Sequence, residues 1–292
     1  MTKTITMALG LAAMVPTTAA AECVPSFASA PTVVEIRPDA TFGSGQLIER
    51  FSVRLRNDGD SICQLRLTVG RDVAGSAGWF PEYVLTGPGG EIASLTPGTS
   101  PGGEATSPVV IPAGREVSVP YQVRTKVGWG DQSGDYSTSL LFALSGRDSS
   151  SEVANQRTEL HLEIPATAAI RFAGAGAGGG GSARLELGEL TPNVVNRSPP
   201  FAVRVLSTSA YQMQVTSENS GALVRTGGVE RLPYRMTIGG HLMSSAGGGS
   251  LTRGTHSSAT GDLFPVAVTV IPDAEQRAGD YNDRVTVSVT PI

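Results

Sequence analysis

The sequence predicts an all-β protein made of two similar β-sandwich domains in tandem. Three observations lead to this prediction. Short segments alternate between apolar and polar residues, 36 glycines and 19 prolines provide turns between them, and several segments recur about 150 residues later. With 292 residues, the chain is long enough for two β domains that each bury a core.

Residues 1–21 predict a secretory signal peptide. Lys3 supplies the charged start, residues 5–15 form a short apolar core, and Thr18–Ala21 is a small-residue cleavage site before Glu22. The apolar run is too short to span a bilayer, and no later stretch of the sequence is long or apolar enough to do so. We therefore expect an exported protein.

Cys23 and Cys63 are the two cysteines of the chain. A single pair in an exported protein most simply forms one structural disulfide. Neither cysteine lies in a CxxC motif or beside a histidine, so a metal or catalytic role has little support. Since Lys3 is one of 22 basic residues, its removal leaves 21 against 26 acidic residues and a net charge of −5. No basic patch stands out, so nucleic acid is not an expected partner.

The rest of the chain divides into two stretches. Phe51–Leu55 and Val117–Val123 are alternating segments of the first stretch and predict half-buried strands. The polar segment 149–158 begins with three serines and is typical of a linker. We therefore expect an N-terminal β-sandwich over residues 22–148 and a C-terminal domain over residues 159–292.

Matching segments in the two stretches predict two copies of one sandwich-like domain. Three matches follow in order at nearly the same offset: Phe201–Val205 repeats Phe51–Leu55 at 150 residues, Tyr234 repeats Tyr83 at 151, and Gly279-Asp280-Tyr281 repeats Gly134-Asp135-Tyr136 at 145.

The last stretch of the sequence predicts a strand with one apolar face. Val285, Val287 and Val289 alternate strictly with polar residues, and the sequence ends at Ile292. If the fold normally places another strand beside this one, we expect that strand to come from a different chain.

Four large aromatic residues lie in glycine-rich or loop-like surroundings: Trp79, Phe80, Tyr83 and Trp129. They are either core anchors or an exposed ligand-binding surface. Tyr83 is the weakest candidate for binding, because its repeat partner Tyr234 lies in a strand-like segment.

The sequence offers no catalytic, metal or cofactor motif. His161, His241 and His256 are far apart and have no metal-ligand spacing, and no GxSxG motif is present. The carboxylates are scattered, so no acid–base pair can be named. We therefore expect a protein that is not an enzyme and that holds no cofactor.

The C-terminal stretch resembles the spore-coat-protein-U-like domain, which forms subunits of archaic chaperone–usher pili. The resemblance covers about residues 160–292, and its most specific part is the closing Ala278–Val289. Other matching segments are 187–190, 203–207 with Tyr211, 219–223 and 232–236. The chain departs from the family in having no cysteine pair within this domain and in carrying a Gly/Ala segment at 174–181.

The resemblance implies an immunoglobulin-like sandwich that lacks its final strand. A periplasmic chaperone would lend that strand during assembly at an outer-membrane usher, and the N-terminal extension of a neighbouring pilus subunit would replace it. Val285, Val287 and Val289 would line the groove for the donated strand. The backbone groups of their neighbours would pair with it.

A disulfide between Cys23 and Cys63 would leave no free N-terminal arm for donation. Together with the two-domain organisation, this suggests a tip subunit on the cell surface, with an adhesive or receptor-binding domain at 22–148 for an unidentified host or surface ligand. Two alternatives stay open. One is a secreted sandwich protein, structural or carbohydrate-binding, outside any pilus, and the other is a periplasmic pilus chaperone.

Overall fold

The computed structural model consists of β-strands joined by turns and loops. It describes residues 22–38, 46–72, 78–88, 90–94, 105–148, 151–174, 181–243 and 248–292. The predicted signal peptide and most of the Gly/Ala segment lie outside these residues. Within them no helix is found, so the predicted all-β class is confirmed.

The first unit is a sandwich of two five-stranded sheets. One sheet has the order β1 (Pro25–Ser29), β3 (Gln46–Asn57), β8 (Glu116–Lys126), β5 (Tyr83–Gly87), β6 (Gly90–Ser94). The other has the order β2 (Val33–Ile36), β10 (Glu152–Ile164), β9 (Gly134–Gly146), β4 (Cys63–Arg71), β7 (Ala105–Ile111). Alternate residues of each strand point inward, so Leu55, Leu67, Phe142 and Leu160 are fully buried between the sheets.

The second unit is also a sandwich, but its two sheets differ in size. Its larger sheet has the order β11 (Ala168–Gly174), β13 (Phe201–Ser207), β19 (Asp262–Val270), β16 (Arg231–Ile238), β15 (Ala222–Arg225), β20 (Tyr281–Asn282). Two short strands join it, β12 (Asn196–Arg197) beside β19 and β17 (His241–Met243) beside β16. The smaller sheet has the order β18 (Gly248–Arg253), β14 (Tyr211–Ser217), β21 (Val285–Pro291). Val205, Tyr211 and Ile238 lie in the core between the two sheets.

The repeated Gly-Asp-Tyr segments form the same corner in both units. The Tyr136 hydroxyl donates to the Gln132 carbonyl at 2.8 Å, and the Tyr281 hydroxyl donates to the Arg277 carbonyl at 2.7 Å. Both bonds reach back four residues, as in the tyrosine corner of immunoglobulin-like sandwiches. The glycines have φ angles of 150° and 149°, a region that favours glycine. The sequence repeat is therefore also a repeat of backbone geometry.

The predicted linker at 149–158 is wrong where the structure describes it. Residues from Glu152 onward form β10, which pairs with β9 along its length and with β2 on its other side. Leu160 and Ile164 belong to the core of the first unit, so this strand closes that unit and does not open the second. Of the described polar residues in this segment, Asn155 and Arg157 are exposed, whereas Thr158 is buried in the strand.

A short joint connects the two units. β10 ends at Ile164 and β11 begins at Ala168, and buried Thr208 of the second unit binds the connection between them. Its N–H donates to the Thr167 carbonyl at 3.0 Å, its hydroxyl donates to the Pro165 carbonyl at 2.7 Å, and its carbonyl accepts the N–H of Ser133 at 2.6 Å. Each polar group of Thr208 therefore fastens the joint.

We expect Thr208→Val to loosen this joint. The substitution keeps the shape of the side chain but leaves the Pro165 carbonyl without its hydroxyl donor and the Thr167 N–H without its acceptor, which costs about 1–3 kcal/mol. Small-angle scattering should show a wider range of inter-unit distances than in the wild-type protein. Thr252→Val is the matched control, since Thr252 is exposed in β18. Scattering and melting curves identical in both variants would contradict this role of Thr208.

Candidate strand-acceptor edge

β21 is the last strand of its sheet. It pairs in antiparallel register with β14, from Tyr211↔Pro291 to Ser217↔Val285, without an irregularity. Among the described residues, no strand pairs with its other side. The apolar strand that the sequence predicts here therefore has an open edge.

The hydrogen-bond pattern shows which backbone groups face this open edge. Glu218 N–H donates to the Arg284 carbonyl at 2.9 Å, and Ile292 N–H donates to the Ala210 carbonyl at 2.8 Å. Because hydrogen-bonded pairs alternate in an antiparallel ladder, the even-numbered residues of β21 pair with β14. The N–H and C=O groups of Val285, Val287 and Val289 then point away from the sheet. The prediction that their neighbours would pair with an incoming strand is thus corrected: the valines themselves present the free groups.

β11 provides a second open edge facing β21. It pairs with β13 in the described part of the chain and lies at the end of its sheet. Thr208 N–H donates to the carbonyl of Thr167 directly opposite it, so the odd-numbered residues of β11 are the ones that bond to β13. The backbone groups of Ile170 and Phe172 therefore also point away from the sheet. At their nearest, Cα atoms of β11 and β21 lie within 8 Å. Two strand spacings need roughly 9–10 Å, so a strand pairing with both edges would have to separate them there.

Apolar side chains form the floor between these edges. Val285, Val287 and Val289 are half-buried and pack against the core of the second unit, as do Ile170 and Phe172. We call the two open edges and this floor the acceptor trough. Its backbone groups and its apolar side chains belong to the same residues, which is what an extended segment with alternating apolar residues would match.

The first unit shows the trough position in a filled state. The two Gly-Asp-Tyr corners are 145 residues apart in the sequence. At the same spacing, Leu140, Phe142 and Leu144 of β9 correspond to Val285, Val287 and Val289. Those three residues are 0% exposed and lie in a strand that pairs with β10 along its length. The valines stay half-buried because no described strand of the second unit occupies the place that β10 takes in the first.

Asp283 fixes the start of β21, a role the sequence analysis did not identify. Its carboxylate accepts the Tyr234 hydroxyl at 2.6 Å, the Ser217 hydroxyl at 2.6 Å and the Asn219 N–H at 3.0 Å. Burial raises the pKa of Tyr234, and the bond to Asp283 raises it further, so this phenol remains a donor. β21 is therefore held by its pairing with β14 on one side and by the hydrogen bonds of Asp283 at its first residues.

The N-terminal residues of the described chain are part of the first unit. The predicted disulfide between Cys23 and Cys63 is present, with a Cα–Cα distance of 5.2 Å. Asn57 is buried and accepts the Val24 N–H at 3.2 Å, while Asp60 accepts the Glu22 N–H at 2.7 Å. A disulfide of this kind fits an oxidising compartment outside the cytoplasm.

The four candidate aromatic residues do not form one surface. Phe80 and Tyr83 are core residues with 1% and 2% exposure, which corrects the prediction that they could belong to a ligand-binding surface. Burial raises the pKa of Tyr83 to about 12. Trp79 is 49% exposed and packs edge-on against Tyr136, with ring centroids 4.9 Å apart. Trp129 is half-buried beside Gly130, and both tryptophans lie at the end of the first unit that meets the second.

His161 lies in β10 between two carboxylates, 3.0 Å from Glu35 and 3.6 Å from Asp135. Within the described ranges no group of three or more His, Cys, Asp or Glu residues is arranged to hold a metal ion. A search of the same residues for a helix long and apolar enough to cross a membrane finds none.

No protein-family model matches the chain, and no curated protein is similar in sequence. Similar solved structures include a chain of the CsuC–CsuE chaperone–tip adhesion subunit pre-assembly complex from the archaic chaperone–usher Csu pili of Acinetobacter baumannii. It is 15% identical over 91% of this chain and 99% of that chain, with a TM-score of 0.45.

Two further structures are similar over most of the chain. The CupB6 tip adhesin from Pseudomonas aeruginosa is 12% identical over 92% of this chain and 94% of that chain, with a TM-score of 0.39. CfaE, the adhesive subunit of CFA/I fimbria of enterotoxigenic Escherichia coli, is 11% identical over 90% and 93%, with a TM-score of 0.37. Similarity at this level gives no residue-by-residue correspondence.

Proposed function

We propose that this chain is an adhesive, non-catalytic subunit of a chaperone–usher surface pilus and that it sits at the tip. Its second unit would be a spore-coat-protein-U-like domain that receives a strand from a neighbouring subunit. Its first unit, residues 22–164 in the structure, would carry the adhesive surface. A periplasmic chaperone and an outer-membrane usher would bring it to the cell surface.

The observation that carries this proposal is the acceptor trough. The same chain contains a filled version of the sandwich, in which β10 covers β9, and a version in which Val285, Val287 and Val289 have no such cover among the described residues. An open strand edge above an apolar floor is a site for β-augmentation and an aggregation hazard when left open. A chaperone that covers it before assembly would remove that hazard.

The direction of β21 determines at which end of the molecule the donor subunit would lie. β21 ends near Ala210, beside the joint with the first unit. A strand antiparallel to it, as β10 is to β9, would run away from the joint and leave the trough near Val285. If that strand is an N-terminal extension, the body of its owner lies at the pole opposite the first unit.

The position of the N-terminal residues supports the tip assignment. Residues from Glu22 to Ser29 are bound into the first unit by the disulfide, by backbone bonds and by β1. After removal of residues 1–21, this segment would not be free to enter the trough of another subunit. The chain would then accept a strand but donate none.

Immunogold labelling with antibodies against the first unit tests this proposal on cells that make the protein. We expect gold at the free ends of surface fibres. Val287→Asp should remove the label from fibres, because burying a carboxylate in the trough floor against the apolar side chains of a donor strand is unfavourable. Thr286→Asp, on the exposed side of the same strand, should retain it. Label spread along fibre shafts would contradict the tip position, and label only in the medium would favour a secreted protein.

A further inference from the structure

A group of basic side chains lies on the outer face of the first unit. β3 and β8 pair from Gln46↔Lys126 to Arg56↔Glu116. Because Val53 and Leu55 point inward, Arg50 and Arg54 of β3 point outward. By the same alternation, Arg124 and Lys126 of β8 share that outward face. We call these four residues the basic face.

Neutral partners orient the two arginines of β3. The Arg50 Nε donates to Gln122 Oε1 at 3.2 Å, and the Arg54 Nε donates to Ser29 Oγ at 2.8 Å. Neither guanidinium forms an ion pair with a described carboxylate. Both arginines are exposed, and each is held by its Nε, so the terminal nitrogens are not used in these two bonds. This is the donor arrangement that binds carboxylate or sulfate through two parallel hydrogen bonds.

Acidic residues define the limits of the basic face. Arg56, next along β3, is neutralised by Asp58 at 2.5 Å and lies opposite Glu116. The positive region therefore lies on the side of Arg56 nearer the joint, around Arg50 and Arg54. Diagonal neighbours in antiparallel strands lie roughly 7–8 Å apart, so several anionic groups of one polymer could be bound together.

The rest of the face favours a polysaccharide over nucleic acid. Ser52 and Ser118 point outward between the basic residues and offer hydroxyls to sugar hydroxyl groups. Phe51 and Tyr121 of the same strands pack toward the core. No described aromatic residue of β3 or β8 faces outward, so the face has no platform on which a base would stack.

We propose that the basic face binds an anionic polysaccharide through its sulfate or carboxylate groups. This gives the adhesive part of the proposed function a ligand class, and it does not depend on strand acceptance by the second unit. After removal of residues 1–21 the net charge is −5, so the positive charge of this face is local. Because exposed charges are screened by salt, high salt should weaken the interaction strongly.

Surface plasmon resonance with the full exported chain tests this proposal. Immobilised dextran sulfate and polygalacturonate provide sulfate and carboxylate groups, and neutral dextran is the blank. We expect binding to at least one polyanion, loss of that binding in high salt, and no binding to dextran. The double variant Arg50→Gln/Arg54→Gln should bind about 10-fold more weakly or worse. Arg197→Gln/Arg235→Gln, which removes two exposed charges from the second unit, should bind as the wild type does.

Three results would overturn the proposal: no binding to either polyanion, equal losses in the two double variants, or tighter binding of double-stranded DNA with the same dependence on Arg50 and Arg54. Unchanged melting curves for both double variants will show that the fold is intact. A chain that binds dextran sulfate but accepts no donor strand would contradict the proposed pilus assembly and leave the basic face as a binding surface.

Discussion

Adding a turn and an alternating apolar strand after Ile292 should raise the melting temperature of the second unit by about 10 °C or more. The added strand would return along β21 as β10 returns along β9. In the first unit, Leu160, Leu162 and Ile164 of β10 are 0–2% exposed. Burying three such side chains stabilises by about 1.5–3 kcal/mol each, before the cost of ordering the strand. One kcal/mol shifts the melting temperature of a domain this size by several degrees.

Two controls make this experiment specific to the trough. An extension of the same length with serine at the inward positions should add no stability. In the extended chain, Val287→Asp should cancel the gain, whereas Thr286→Asp, on the exposed side of β21, should leave most of it. Equal melting temperatures for the apolar and serine extensions would contradict an acceptor trough.

Replacing the disulfide by the Cys23→Ser/Cys63→Ser pair should destabilise the first unit by about 4 kcal/mol. The bridge closes a loop with a sequence separation of 40 residues, and the chain-entropy model gives this magnitude. Urea unfolding followed by Trp79 and Trp129 fluorescence reports on the first unit, since both tryptophans lie there. The second unit has no cysteine and is the internal control. An unchanged first-unit midpoint would show that hydrogen bonds of Asn57 and Asp60 hold the N-terminal segment without the bridge.

The tandem sandwiches could be predicted from the sequence because their signals are local. Period-two alternation places Val285, Val287 and Val289 on one face whatever else the chain does. The Gly-Asp-Tyr repeat marks a corner whose hydrogen bond spans four residues, so Tyr136 and Tyr281 carry its geometry with them. The disulfide followed from the presence of a single cysteine pair in a chain with a predicted signal peptide.

The remaining features depend on contacts between distant residues. Asp283 binds Tyr234 across 49 positions, and the opposite edge of the trough comes from β11, more than 100 residues before β21. Solvent-facing polar residues of β10, such as Asn155 and Arg157, hid a strand whose large buried apolar residues begin only at Leu160. The glycine-rich surroundings of Phe80 gave no sign that the ring would be buried.

Residue-resolved hydrogen exchange of the isolated chain without residues 1–21 tests the open edge of β21 most directly. The amides of Val285, Val287 and Val289 point away from β14, so we expect them to exchange at least about 100-fold faster than those of Thr286, Ser288 and Thr290. With the apolar extension in place, both sets should be protected alike. Equal protection of both sets in the chain without the extension would mean that the edge is already covered, and it would contradict strand acceptance.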